Sequence, residues 1–220
     1  MSHSSETEHP YQVASTKSWI RTASGKPFDL LTPKAADVRV SDIAYALSKL
    51  CRFTGQYASD DLYSVAEHCW HVSFRSEELS RSKRPLDWIN APVWDQKDLL
   101  CAKWGLVHDW AEAYCADLNS PLKSAPGLEA YKKIEHGVLS VIAERLGLGE
   151  LSTCPPEVDV ADNELYWTER LKVHGLSGPE ETTKSYVEPL KSVKIRMWDP
   201  RTARWFLLER FKQLFPDYKE

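Results

Sequence analysis

GLVHDWAEAYCADLNSPLK, residues 105–123, decides how the rest of the chain is read. Apolar Leu106, Val107, Trp110, Ala111 and Tyr114 interleave with His108, Asp109 and Glu112, so polar groups sit on the apolar side of a helical pattern running from about Gln96 to Cys115. A charge seated that way needs a partner. Helical spacing sets Glu112 beside both His108 and Asp109, and the turn residues of ADLNSPLKSAPG, with Asn119-Ser120-Pro121 and Pro126-Gly127, then break the pattern. Taken singly, His108 reads equally well as a hydrogen-bonded core residue or as a ligand, and Asp109 or Glu112 as a solvated carboxylate.

Two other helical segments change that balance. A helix over about 63–79 has Val65, Ala66, Cys69 and Val72 on its buried stripe, and His68 falls inside it. Another, over about 157–173, turns Val158, Ala161 and Leu165 inward with Asp162 on the same face; Asp159 is the nearest rival. Three helices each bringing a metal-type side chain inward make a coherent site. Its donors are imidazole nitrogens and carboxylate oxygens, a set suited to a divalent transition metal (Zn, Mn, Fe, Co or Ni) with positions left for water and substrate.

The remaining chain reads as an all-α single domain with decorations. Its 220 residues, 42% hydrophobic, suffice for one full core. Residues 1–16 are an aperiodic tail, 17–175 the body, and 176–220 an arm and helix packed on it. WIRTASGKPFDLLTP, residues 19–33, suggests a short hairpin or ordered loop, and a helix follows from Ser41 as N-cap through SDIAYALSKLCRF. Further helices are expected over 128–147 and 202–215, with a loop inserted at 81–97 and a basic, at most briefly stranded arm over 176–198.

The formal net charge of -4 gives no general attraction to nucleic-acid polymers or membrane phosphates. No apolar run approaches a membrane span or a signal-peptide core, and five scattered cysteines outside any CxxC pair suggest reduced thiols, so a cytoplasmic protein is expected. Nine tryptophans, several in polar stretches (Trp88, Trp94, Trp104, Trp198), together with the basic arm point to a homo-oligomer.

The order His68, then His108-Asp109, then Asp162 resembles the HD-domain superfamily of metal-dependent phosphohydrolases, whose ligands are a histidine, a later His-Asp pair and a still later aspartate. The likeness is nearer to bacterial 5′-deoxynucleotidases and phage dATP triphosphohydrolases, which carry H-D-x-x-E-x-x-x-x-D followed by a proline and a lysine; here those are His108, Asp109, Glu112, Asp117, Pro121 and Lys123. DIAYALSKLCRFTGQ, YSVAEH and ADNELYWTER extend it over roughly residues 19–172. The resemblance implies an HD-domain helical bundle, with an ion that activates water and draws charge from a phosphoryl oxygen. It also implies that Glu112 and Asp117 are the acid/base pair. Substrate phosphate would meet Arg21 and Lys123, with Arg52 and Lys26 as weaker cations; Trp19 would close on the deoxyribose, and Ile20 and Pro121 would line a base pocket. The expected substrate is a deoxynucleotide: a dNTP, dATP favoured, losing triphosphate, or else a 5′-deoxymononucleotide losing phosphate. A regulator that binds nucleotides without turnover and a diiron oxygenase recruiting His71 are the readings from other classes.

Overall fold

The computed structural model describes residues 18–82, 95–176 and 185–220. The expectations placed on the tail, on most of the inserted loop with Trp88 and Trp94, and on 177–184 of the arm lie outside them. The described chain is all-α apart from one hairpin. Strand β1 (Trp19–Arg21) pairs antiparallel with β2 (Pro27–Asp29) in the register Trp19 to Asp29, Ile20 to Phe28 and Arg21 to Pro27. The helices are α1 (Val40–Leu47), α2 (Val65–Ser82), α3 (Gln96–Val107), α4 (Glu112–Cys115), α5 (Ser120–Lys123), α6 (Glu129–Arg145), α7 (Pro156–His174) and α8 (Pro200–Leu214).

Helix α2 is the centre of the bundle, packed against α3, α7 and α8. Val65, Ala66, Cys69 and Val72 form its buried stripe, as their helical spacing predicts. Its contact with α3 depends on Gly105. A Cβ there would lie 2.7 Å from Ser76 Oγ and 2.9 Å from the Val72 carbonyl oxygen, so only glycine lets the two backbones come this close. Ser73 Oγ strengthens the same contact by donating to the Ala102 carbonyl at 2.8 Å. His68 and His108 thereby come face to face.

Three local expectations are corrected. Ser41 does not cap α1: Arg39 holds that position, while the Ser41 N–H and hydroxyl donate to the Glu220 carboxylate. Helix α1 also ends at Leu47, and the Arg52–Gly55 turn after it places Phe53 and Thr54 at positive φ. The run from Gln96 to Cys115 is not one helix. Helix α3 stops at Val107, and the N–H groups of Trp110, Glu112, Ala113 and Tyr114 reach back three residues, to Val107, Asp109, Trp110 and Ala111. Such tight winding brings residues three apart nearly into eclipse, which sets Glu112 on the same side as Asp109.

The arm has no strand among its described residues. It is tied instead to helix side chains: Trp167 Nε1 donates to the Ser185 carbonyl, and the N–H groups of Arg196 and Trp198 donate to the buried Glu67 carboxylate at 2.6 and 2.9 Å. All five cysteines are free, and no helix among the described residues is long and apolar enough to cross a membrane.

Candidate metal centre

His68 on α2, and His108 and Asp109 just past the end of α3, bring one ligand atom each within 4.8 Å of one another and could hold a metal ion. The two Nε2 atoms are 3.3 Å apart, and Asp109 Oδ2 lies 3.5 Å from His68 Nε2 and 3.3 Å from His108 Nε2. The hydrogen bonds on the far sides of the rings decide what these atoms present. His108 Nδ1 lies 2.9 Å from the Gly105 carbonyl, and His68 Nδ1 lies 2.6 Å from Glu169 Oε1. Both partners are acceptors, so each Nδ1 carries a proton; against burial and the Arg52 charge, Glu169 and Asp162 also push His68 up to about 9, so in the metal-free protein its Nε2 holds a second proton that an ion would displace. Nitrogen and carboxylate donors converging in a mostly buried site need positive charge among them, which protons and Arg52 supply without an ion and a metal can supply in their place. The donor set fits a divalent ion.

Asp162 on α7 adds its Oδ1 at 3.3 Å from His68 Nε2. Asp159, the rival by spacing, faces solvent. His71 is turned towards the arm, stacked on Trp198 with Nε2 at 3.7 Å from Glu67 Oε1, and so is not gathered with the other histidines.

A cavity of about 570 Å³ opens from Asp109 and Asp162 and is lined also by Arg52, Glu112, Asp117, Pro121 and Lys123. Phe53, Thr54, Tyr166, Arg170 and His174 line it as well. Glu112 is buried, accepts Lys123 Nζ on Oε1 at 3.1 Å, and its buried Oε2 has no hydrogen-bond partner among the described residues. Burial, then the neighbouring charges of Asp109 and Asp117, push its carboxyl well above the usual range against the pull of Lys123. Asp117 is pushed up as well, chiefly by burial. Asp109 is the opposite case: burial opposes ionisation, but His108, His68 and Arg52 outweigh it and hold the carboxylate below its ordinary range. Carboxyls with separated proton affinities thus stand side by side, an arrangement characteristic of acid/base sites.

Not all the residues proposed from sequence are brought together. Trp19, Ile20 and Arg21 lie on the hairpin and are absent from the cavity wall. The hairpin is anchored by Phe28 stacked on Tyr114 at 3.8 Å, and Arg21 Nη1 is spent on the Gly25 carbonyl at 3.1 Å within its own turn. Lys26 belongs to that turn too. The arginine beside the ligands is Arg52, with Nη1 3.3 Å from Asp109 Oδ2. Phe53, Tyr166, Arg170, His174, Glu135 and Glu169 were not singled out from sequence. Glu135 accepts Lys123 Nζ at 2.8 Å, so that lysine is shared between two carboxylates. Burial, Glu169 and Asp109 act on the Arg52 guanidinium, the last two outweighing the first to keep it charged.

No family model matches the chain. It is similar to the uncharacterized protein YfdR of Escherichia coli strain K12, 34% identical over 153 residues that cover 70% of this chain and 71% of the relative. It is also similar to an uncharacterized protein of Rhodobacter capsulatus, 29% identical over 197 residues that cover 86% of this chain and 91% of the relative.

Proposed function

The chain belongs to the family of Escherichia coli YfdR, and from its metal centre we propose that it is an HD-type, metal-dependent phosphohydrolase acting on a deoxynucleotide. The observation that carries this reading is the convergence of the His68 and His108 Nε2 atoms and Asp109 Oδ2 at the head of a ligand-sized cavity. His68, His108, Asp109 and Asp162 would hold the ion. A divalent ion bound there supplies Lewis acidity, towards water and towards a phosphoryl oxygen.

The chain's own groups do the rest. Glu112 Oε2, buried and without a hydrogen-bond partner among the described residues, takes or gives a proton beside the ligands, and the raised affinity of its carboxyl for protons suits that exchange. Asp117 on the same wall serves the second proton. Arg52 and Lys123 are fixed positive charges for a phosphate, Arg52 from the Asp109 side and Lys123 from beyond Glu112. Phe53, Tyr166 and Pro121, all lining the cavity, offer partly apolar surface for sugar or base.

Charge within the cavity favours the mononucleotide over the triphosphate. Among the described residues the wall holds Asp109, Glu112, Asp117 and Asp162 against Arg52, Lys123 and Arg170. Arg52 and Lys123 already face carboxylates. A phosphomonoester asks for the cations next to the metal, whereas a triphosphate tail needs further positive charge that this wall does not offer. Incubation of the metal-loaded protein with dAMP and with dATP separates the cases. Orthophosphate from dAMP is expected; triphosphate from dATP would restore the larger substrate, and no product from any nucleotide would leave a binding protein without turnover.

A further inference from the structure

Glu169 has no part in the chemistry assigned so far, yet it is fully buried against the metal centre. It follows Asp162 by seven residues on α7, two helical turns, so the two carboxylates leave the same face of the helix. They grip one ring from both sides. Asp162 Oδ1 is 3.3 Å from His68 Nε2, and Glu169 Oε1 is 2.6 Å from His68 Nδ1. The same Oε1 accepts the Tyr63 hydroxyl at 2.6 Å, and Oε2 lies 3.3 Å from Arg52 Nε, an ion-pair distance without hydrogen-bond alignment. Arg52 continues the chain of contacts to Asp109.

A carboxylate in this position carries a large desolvation cost unless its partners match it. A neutral side chain of the same size would fill the space without that cost. What the charge adds is a choice of tautomer: an acceptor at Nδ1 leaves Nε2 to ligate on the side of the other ligands. We infer that Glu169 is a positioning residue that fixes His68 as an Nε2 ligand and, through Arg52, ties the cationic wall of the cavity to that ligand. This rests on the metal-centre reading above. Carboxylates that hold a ligating histidine in this way typically strengthen metal affinity by about 10- to 100-fold.

Calorimetric titration of the full, metal-freed chain with Zn²⁺ alone tests it. Glu169→Gln is expected to weaken Kd by about 10- to 100-fold, and Tyr63→Phe, which removes one donor to the same oxygen, by a smaller factor in the same direction. Glu157→Gln is the control, because Glu157 is as deeply buried on α7 and pairs with Lys97 at 3.0 Å, away from the ligands. It should lose stability while keeping the wild-type Kd. Equal loss of affinity in Glu157→Gln and Glu169→Gln would reduce Glu169 to packing, and unchanged Kd in Glu169→Gln would overturn the inference outright. If Glu169→Gln does not fold, Tyr63→Phe decides, with an unchanged Kd overturning it. A wild-type chain that binds no Zn²⁺ would instead overturn the metal centre itself.

Discussion

Glu67 and His68 are neighbours on α2, both fully buried, and they face two differently finished regions. On the arm side, the Glu67 carboxylate receives the N–H groups of Arg196 and Trp198, one on each oxygen, and the region is closed. On the cavity side, His68 Nε2, His108 Nε2 and Asp109 Oδ2 converge, while each ring's Nδ1 is held by an acceptor elsewhere. Both regions bury charge. The difference is that the Glu67 carboxylate is taken up by backbone donors of the chain, whereas the donor set on the cavity side could hold a divalent ion.

Substitutions should divide along the same line. The largest effect is expected from His108→Ala or Asp109→Ala, which should abolish metal binding in a titration and cut turnover by at least about a thousandfold, since a catalytic ion supplies several kcal/mol. Glu112→Gln comes next: bound metal measured by elemental analysis should stay, while kcat falls by about 10²- to 10⁴-fold. Full activity in that variant would remove Glu112 from proton transfer. On the other side of α2, Glu67→Ala should leave metal affinity near wild type and cost about 2 to 4 kcal/mol in urea unfolding, because two part-buried N–H groups lose a charged acceptor. A matching loss of metal would mean the two regions are not separable.

The smallest effect belongs to Asp199, whose carboxylate caps α8 through the N–H groups of Arg201 and Thr202. Its bonds to Thr202 hold the carboxyl below the usual aspartate range. A depressed value means that its contribution is present above the pH where an unfolded aspartate ionises and is lost as pH falls through the folded value. Asp199→Ala should therefore melt slightly below wild type at neutral pH, with the two melting curves converging in acid.

Much of this was legible in the residues. The apolar spacing around His68, Asp162 and Ile43 marks helix faces, and the structure buries Val65, Val72, Val158, Leu165 and Ile43 as that spacing requires. Helix ends were less legible, since the break after Val107 rests on backbone hydrogen bonds that no residue type announces. Of the cations expected to meet phosphate, Lys123 and Arg52 line the cavity, Arg52 from a turn that holds Phe53 and Thr54 at positive φ, whereas Arg21 lies on the hairpin with Nη1 on the Gly25 carbonyl. Helical side chains offer a usable signal that was passed over: Glu169 lies two turns beyond Asp162, beside Leu165 and Thr168, a charge on a buried face. Asp162, Tyr166, Arg170 and His174, spaced four apart on α7, bring an adjoining face of the helix to the cavity.

The central claim is that the chain side of α2 facing α3 and α7 is a metal centre. Zn²⁺ titrated into the metal-freed full-length protein should bind at one ion per chain, and His108→Ala should give a flat titration. A flat titration of the wild type, or wild-type binding by His108→Ala, would contradict it.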